Sequence, residues 1–354
     1  MTICLCVGAR PNFIKAAPII RALEAQQIPY KLVHTGQHYS DEMSASFFKD
    51  LEMPRPDINL GCNNPAISAS GRIADIMKRL ALYLESVRPH MVVVFGDVDS
   101  SLACALSAKK SGYKVAHVEA GERSGDKSMP EEINRILIDK ISDILFFASD
   151  KASERYVWHP NGYLVGNVMI DQLRHDEPKL LDFAIRNEPW AVLTLHRQSN
   201  VDNYDTFCKI YQIMRKVAES ITIHFPVHPR TEPMLLRAVN KFGSISNIIY
   251  HDPMPRLEFL ALIANAKFVM TDSGGLQVET SYLNVPCLTL RHETEWYDTV
   301  IIGSNAIVGI YKEVILESID RILSGKWKQS TFKQDTLHGG HAAEMIVEVL
   351  NREL

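Results

Sequence analysis

The chain has 354 residues, 46% hydrophobic and 23% charged, with Gly 18, Pro 17 and six cysteines, and these ordinary values exclude a disordered, collagen-like or disulfide-scaffold protein. At roughly 150 residues per domain the length implies about two domains. A balance of 38 Lys+Arg against 42 Asp+Glu gives a net charge of -4 and no global field toward nucleic acid or an anionic membrane.

Short apolar runs alternate with helical patterns from the start: strands over 3–7, 31–34, 91–95, 114–118 and 144–148, and helices over 13–25, 71–86, 100–110 and 130–142. The strands are continuous Val, Ile and Phe, as sheets covered on both faces require, so the first half reads as a parallel α/β domain. The rhythm breaks over the turn-rich stretch 157–168, with Trp158-His159-Pro160-Asn161-Gly162. It resumes with strands over 190–195, 221–226, 248–250, 268–271 and 287–290, and helices over 204–219, up to 241, 256–264, 275–283 and 311–323. A last helix spans 342–350, after Gly339-Gly340. The fold class expected is α/β, with two Rossmann-like doubly wound domains facing a cleft at the C-terminal ends of their sheets. The domains are placed at 1–170 and 171–338, with a terminal helix at 339–354 packing back on the first.

Cys4, Cys6, Cys62, Cys104, Cys208 and Cys287 lack CxxC spacing and read as small buried hydrophobes of a reducing compartment. The N-terminus lacks a basic leader, and no apolar run approaches about 20 residues, so a cytoplasmic protein without a membrane span is expected.

Thr271-Asp272-Ser273-Gly274-Gly275-Leu276-Gln277-Val278-Glu279 lies directly after a strand and before a helix. Small residues there let backbone N–H groups approach a phosphate, and the helix end presents roughly +0.5 charge. Glu279, about one turn in, is placed to accept from ribose hydroxyls. The plain alternative is a Ser N-cap with turn glycines. Gly8-Ala9-Arg10-Pro11-Asn12 follows the first strand likewise, which sends Arg10 and Lys15 toward a diphosphate or, alternatively, Arg10 into a surface ion pair. No GxGxxG follows that strand and no GxxxxGK[ST] occurs, which disfavours dinucleotide-dependent and ATP-cleaving chemistry.

Asp97 in Phe95-Gly96-Asp97-Val98-Asp99-Ser100, Glu119 in His117-Val118-Glu119-Ala120-Gly121 and Glu131 in the Met129-Pro130-Glu131-Glu132-Ile133-Asn134-Arg135 run sit at strand ends or adjoining loops. Parallel neighbours are about 5 Å apart, so Asp97 and Glu119 have the spacing of an acid/base pair in which one carboxyl keeps its proton. The alternatives are an N-cap for Asp97 or Asp99 and a dipole-favoured acidic first turn for Glu131 and Glu132. His196-Arg197 and His228-Pro229-Arg230 end two strands of the second half and make a local cationic pocket suited to a diphosphate. No HExxH, CxxC or GxSxG occurs, so neither a metal site nor a serine hydrolase is expected.

Taken together, GARPNFIK, HTGQH, GDVDS, HVEAGERSGD, MPEEINR, LHR, VHPRT, TDSGGLQVE, RHETEW and the terminal GGHAAEMI run closely resemble the non-hydrolysing UDP-N-acetylglucosamine 2-epimerase family, in the family's order and over nearly the whole chain. The resemblance implies the glycosyltransferase-B architecture, no cofactor and no metal. The partners it implies are a UDP-sugar and a second copy of the chain, with neither nucleic acid nor membrane. It implies elimination of UDP to a 2-acetamidoglucal and re-addition to the opposite C2 epimer, taking UDP-GlcNAc to UDP-ManNAc. Asp97, Glu119 and Glu131 match the family's acid/base carboxylates and His196 its catalytic histidine, without settling which carboxylate is base and which acid. Arg10, Lys15, Arg135, His228, Arg230, Ser273, Gly274, Gly275 and Glu279 are the positions expected to hold the UDP-sugar.

The chain departs from the family pattern at Gln198-Ser199-Asn200, where a glutamate is usual, at Thr294-Glu295-Trp296-Tyr297-Asp298 in place of TERPE, and at Glu122 in AGER. The loop 123–130 is also shorter than in the regulated bacterial enzymes. TEW with a short loop resembles the branch acting on UDP-2,3-diacetamido-2,3-dideoxyglucuronate in surface-polysaccharide synthesis, which makes that substrate the main rival. His38-Tyr39-Ser40 departs from the glutamine-rich sequence of the regulated enzymes, which argues against activation by a second nucleotide sugar. Further alternatives are a hydrolysing epimerase releasing ManNAc and UDP, a nucleotide-sugar-binding paralogue without turnover, and a glycosyltransferase of the same fold.

Overall fold

The computed structural model describes residues 2–36, 48–64, 66–127, 129–181, 183, 188–330 and 340–354. Gln37, His38, Tyr39 and Ser40 of the sequence reading, and Gly339, lie outside the described residues. The chain divides into two compact units, Met1–Arg174 with Gln334–Leu354, and His175–Lys333.

The first unit runs β1 (Ile3–Val7), α1 (Arg10–Ala25), β2 (Tyr30–His34), β3 (Ile58–Asn59), α2 (Ala69–Val87), β4 (Met91–Phe95), α3 (Asp99–Lys110), β5 (Lys114–Ala120), α4 (Pro130–Ile141), β6 (Ile144–Phe147), α5 (Asp150–Glu154), β7 (Gly162–Leu164) and the start of α6 (Val168–Leu180), whose residues from His175 onward belong to the second unit. Its seven strands are parallel in the order β3-β2-β1-β4-β5-β6-β7. Every residue of β1 and β4 is buried because both faces are covered. Leu5, Val93 and Phe95 join Phe13 and Ile20 of α1 in one core, while Cys4, Cys6, Val92 and Val94 join Leu80 of α2 and Cys104 of α3 in another. All six cysteines are free thiols.

The second unit runs β8 (Trp190–Thr194), α7 (Gln198–Val201), α8 (Tyr204–Val217), β9 (Thr222–Pro226), α9 (Glu232–Phe242), β10 (Ile248–His251), α10 (Arg256–Ala264), β11 (Phe268–Thr271), α11 (Gly274–Tyr282), β12 (Cys287–Thr289), α12 (Tyr297–Ile301), β13 (Asn305–Ile307) and α13 (Lys312–Leu323). Its six strands are parallel in the order β10-β9-β8-β11-β12-β13. The last helix, α14 (Ala342–Arg352), belongs to the first unit, where Ile346, Val347 and Leu350 share the core beneath α1. Asp171 on α6 accepts from Ala343 N (3.3 Å) at the start of that helix.

The strand order reverses once in each sheet, between β1 and β4 in the first and between β8 and β11 in the second. In an open α/β sheet that reversal splays the two connections to opposite faces and leaves a crevice beyond the strand ends, where ligands bind. Gly8 and Gly96 leave the strands at the first reversal, His196 and Asp272 at the second. The stretch 157–168, read as turns, contains β7, and α6 follows it. A Cβ at Gly162 would come within 2.7 Å of a Phe147 ring carbon, so close packing sets that glycine.

Candidate active site

In the first unit, Asn12 ties the two reversal strands together. Its Oδ1 accepts from Gly8 N and Ala9 N (both 3.1 Å), and its Nδ2 donates to Phe95 O (2.8 Å). A Cβ at Gly8 would sit 2.2 Å from Ser100 Oγ and 2.5 Å from Thr35 Oγ1, so a larger residue would push this turn apart. Arg10 then opens α1, half-buried. One turn on, Lys15 is buried and reaches past Gly96 to place Nζ 2.7 Å from Glu119 Oε1. Gly96 has φ of 58° and stands so close to Lys15 Nζ that a Cβ would lie 2.7 Å from it.

Glu119 is held in an uncommon conformation. Its φ is 68°, in the left-handed region that a non-glycine residue enters at a cost of about 1–3 kcal/mol. The register supplies the reason: Val118 pairs with Phe146 and Ala120 with Phe147, leaving Glu119 as the extra residue of a bulge. The bulge aims its carboxylate at Lys15, and Oε2 is buried without a hydrogen-bond partner among the described residues. Below it, buried His117 bridges Asp139 Oδ1 (2.7 Å, through Nδ1) and Gly96 O (2.8 Å, through Nε2). Asp139 also accepts from Gly121 N and Arg123 Nη2; burial pushes its carboxyl up, but His117 and Arg123 outweigh that and hold it below the ordinary range.

Asp97 was read alternatively as an N-cap, and the structure excludes that: the N-cap of α3 is Val98, with no side-chain cap, and Asp99 lies inside the first turn. Asp97 instead pairs with Arg135 Nη2 (2.5 Å), while Asn134 Nδ2 donates to Asp97 O (2.8 Å) and Asp99 Oδ1 (3.0 Å). Arg135 also holds Glu132 (2.9 Å), whose carboxyl is raised by burial yet kept low by Ser124 N and Arg135. Glu131 is half-exposed in the acidic first turn of α4 and makes no hydrogen bond or ion pair among the described residues. Asp97 and Glu119, expected to share a proton, thus each have a cation of their own, and those cations are Arg135 and Lys15, expected at a diphosphate.

In the second unit, the pairing of Thr194 with Thr271 sets Asp272 beside the end of β8. Asp272 is fully buried; it accepts from His196 N (3.1 Å), Arg197 N (3.0 Å) and Asn200 Nδ2 (3.1 Å), and its Oδ1 lies 3.1 Å from His196 Nδ1. Burial raises the Asp272 carboxyl, but the His196 contact and these donors hold it below the usual range. His196 is half-exposed, its ring 5.7 Å from that of His228. Arg230 does not join them, since it forms a two-pronged pair with Asp202 (2.9 and 2.7 Å) on the surface.

Ser273 is the N-cap of α11 but makes no side-chain capping bond; its N–H donates to Thr271 Oγ1 (2.9 Å). The plain Ser-cap reading therefore fails, and the first-turn N–H groups of α11 have no cap from Ser273. Gly274 lies against the Glu295 carboxylate, which has Arg291 Nη1 at 2.9 Å and Arg197 Nη2 at 3.9 Å. A Cβ at Gly274 would be 2.1 Å from Glu295 Oε1. Gly274→Ala is accordingly expected to drive Glu295 from its place between the two guanidiniums and to destabilise the fold by about 1–3 kcal/mol, measurable by thermal unfolding; unchanged stability would refute this role of the glycine. Gly275 follows in the first turn. Glu279 Oε1 accepts from the buried Arg256 Nη1 (2.7 Å).

Sequence reasoning missed Asp272, His117, Asp139, Arg256, Glu295 and Arg291 as parts of the site. Asp272, His117, Arg291 and Glu295 stood inside the quoted motifs, and the order of parallel strands was the signal that would have paired Asp272 with His196. Among the described residues no three His, Cys, Asp or Glu side chains group as a metal ion would require, and no helix is long and apolar enough to cross a membrane.

The family model for UDP-N-acetylglucosamine 2-epimerase matches residues 21–351. A UDP-N-acetylglucosamine 2-epimerase homolog of Methanococcus maripaludis is 38% identical, with 99% of each chain covered. A UDP-2,3-diacetamido-2,3-dideoxy-D-glucuronate 2-epimerase of Pseudomonas aeruginosa is 35% identical, again over 99% of each. The crystal structure of the Methanocaldococcus jannaschii UDP-GlcNAc 2-epimerase in complex with UDP-GlcNAc and UDP superposes with a TM-score of 0.91 at 35% identity, covering 99% of this chain and 100% of that one. Matched over almost its whole length in sequence and in fold, the chain belongs to the UDP-N-acetylglucosamine 2-epimerase family.

Proposed function

We propose that the protein is a non-hydrolysing 2-epimerase that interconverts UDP-GlcNAc and UDP-ManNAc, working as a homodimer in the cytoplasm. The observation that carries this reading is Glu119, a buried carboxylate aimed by a strained bulge, with Lys15 on one oxygen and no hydrogen-bond partner on the other among the described residues. The C2 hydrogen of the sugar is not adjacent to a carbonyl, so its direct removal would leave an unstabilised carbanion. Elimination avoids this: a carboxylate takes the C2 proton, the electron pair forms the C1–C2 double bond, and the C1–O bond breaks to release UDP. Re-addition delivers a proton to the opposite face of C2 while a diphosphate oxygen rebuilds the bond at C1.

Asp97, Glu119 and Glu131 are the proton-handling groups in this scheme. His196, oriented by Asp272, stabilises the departing diphosphate together with His228 and the first-turn N–H groups of α11, an electrostatic contribution of about 3 kcal/mol per well-placed donor. Ser273, Gly274 and Gly275 admit the phosphates and Glu279 holds the ribose. A second reading, epimerisation of UDP-2,3-diacetamido-2,3-dideoxyglucuronate, is favoured by Trp296, which is buried with Nε1 3.7 Å from a Cβ position on Gly274. It is also the activity of the Pseudomonas relative.

Incubation with UDP-GlcNAc in D2O, followed at C2 by proton NMR, tests the proposal. Deuterium at C2 with UDP-ManNAc formed is the expected result. Free ManNAc would indicate a hydrolysing enzyme, and no exchange would eliminate UDP-GlcNAc as substrate and pass the question to the diacetamido-uronate.

A further inference from the structure

Arg256, the first residue of α10, is 4% exposed and joins two other helices through its guanidinium. Its Nε lies 3.1 Å from Asp176 Oδ2 on α6, and its Nη1 lies 2.7 Å from Glu279 Oε1 on α11. Asp176 and Glu279 are themselves buried, at 1% and 6% exposure. A guanidinium is planar with fixed donor directions, so anchoring one edge on Asp176 fixes where the other edge presents a donor to Glu279. One oxygen of Glu279 is thereby taken, and Oε2 makes no hydrogen bond among the described residues. The Arg256 Nη2 is buried and has no hydrogen-bond partner among the described residues either. A buried guanidinium N–H without an acceptor is costly unless a ligand or water completes it.

We propose that Arg256, anchored by Asp176, is a positioning residue that fixes Glu279 so that Oε2 alone accepts from the ribose 2′-hydroxyl, making the site selective for a ribonucleoside diphosphate over its 2′-deoxy analogue. This rests on the assignment of Glu279 to the ribose. A carboxylate free to rotate would accept from either hydroxyl and lose little when one is missing. A pinned oxygen loses its partner outright, which for a charged acceptor corresponds to about 10–100-fold in affinity.

The test is calorimetric binding of UDP, 2′-deoxy-UDP and inorganic diphosphate to the wild-type protein, to Arg256→Lys and to Asp176→Asn, each checked by thermal unfolding. Lysine keeps the charge but offers a single point that cannot span both carboxylates. Asp176→Asn keeps Arg256 while loosening its anchor, and serves if Arg256→Lys does not fold. The expected result is a wild-type preference for UDP over 2′-deoxy-UDP of about 10-fold or more, falling at least about 5-fold in the variants, with diphosphate affinity unchanged within about 2-fold. A preference unaltered in the variants, a parallel loss for all three ligands, or no preference in the wild type would each overturn the proposal. Epimerisation in D2O is a separate readout, so a failure there with the ribose preference intact would count against the reaction and leave the positioning role standing.

Discussion

Glu119→Gln is expected to reduce epimerisation by about 10²–10⁴-fold while leaving UDP affinity within a few-fold of wild type. The amide is the same size, and its oxygen can still accept from Lys15 Nζ, which lies 2.7 Å from Oε1 in the native protein. It cannot take up a proton, and Oε2, the oxygen left bare in the buried site, is the atom that loses this capacity. The substitution also removes the charge that balances a buried lysine, and breaking such a pair costs about 3–5 kcal/mol. Thermal unfolding must therefore accompany the kinetics, and the turnover of the folded fraction is the quantity that matters. Asp97→Asn and Glu131→Gln are expected to act in the same sense. Their surroundings differ, since Asp97 is pinned by Arg135 whereas Glu131 is half-exposed and has no partner among the described residues. Wild-type rates in all three variants would refute the assignment of proton transfer to these carboxylates.

Asp272→Asn carries the second large effect, on activity and stability together. Asp272 accepts from two backbone N–H groups and from Asn200, whose Nδ2 also donates to Leu290 O (3.0 Å), while meeting His196 Nδ1, so an amide in its place turns an NH₂ toward these donors. Leaving such groups unsatisfied costs about 1–3 kcal/mol. With the carboxylate gone His196 loses its orientation and its preference for presenting the Nε2 side, and turnover should fall about 10²-fold or more. The pH dependence has a definite sign. The folded carboxyl titrates below the unfolded value of about 3.9, so its stabilisation is fully present above that value and is lost as the pH falls through the folded pKa. The stability gap between wild type and Asp272→Asn should be full at neutral pH and narrow only in acid. A gap independent of pH down to strong acid would mean that charge is not what Asp272 contributes.

The elements legible in the sequence were those with long apolar runs. Strands such as Met91–Phe95 and helices such as Lys312–Leu323 carry their periodicity in their own residues. The segments left unread, Ile58–Asn59, Asp150–Glu154, Gly162–Leu164, Gln198–Val201, Tyr297–Ile301 and Asn305–Ile307, are two to five residues long, too short for any period to show. Val168–Leu180 was hidden by Pro178 and a polar second half. At the site, motifs marked the strand ends, because glycines and carboxylates there have few structural uses. Partners were a different matter. Whether Lys15 reaches Glu119 depends on a bulge, and whether Asp272 meets His196 depends on which strands are neighbours. Both are properties of register, which no single segment encodes.

The last helix adds a consequence for how the chain is made. Because Ala342–Arg352 completes the core under Arg10–Ala25, the second unit is an insertion within the first, and Phe13 and Ile20 emerge from the ribosome long before Ile346 and Leu350 that cover them. Closing so long a loop adds little to the equilibrium cost, since the entropy grows only with the logarithm of length. Its effect is on timing: the inserted unit can fold while the first still lacks a piece of its wall, and an apolar strip on the nascent first unit stays uncovered until Ile346 and Leu350 have been made.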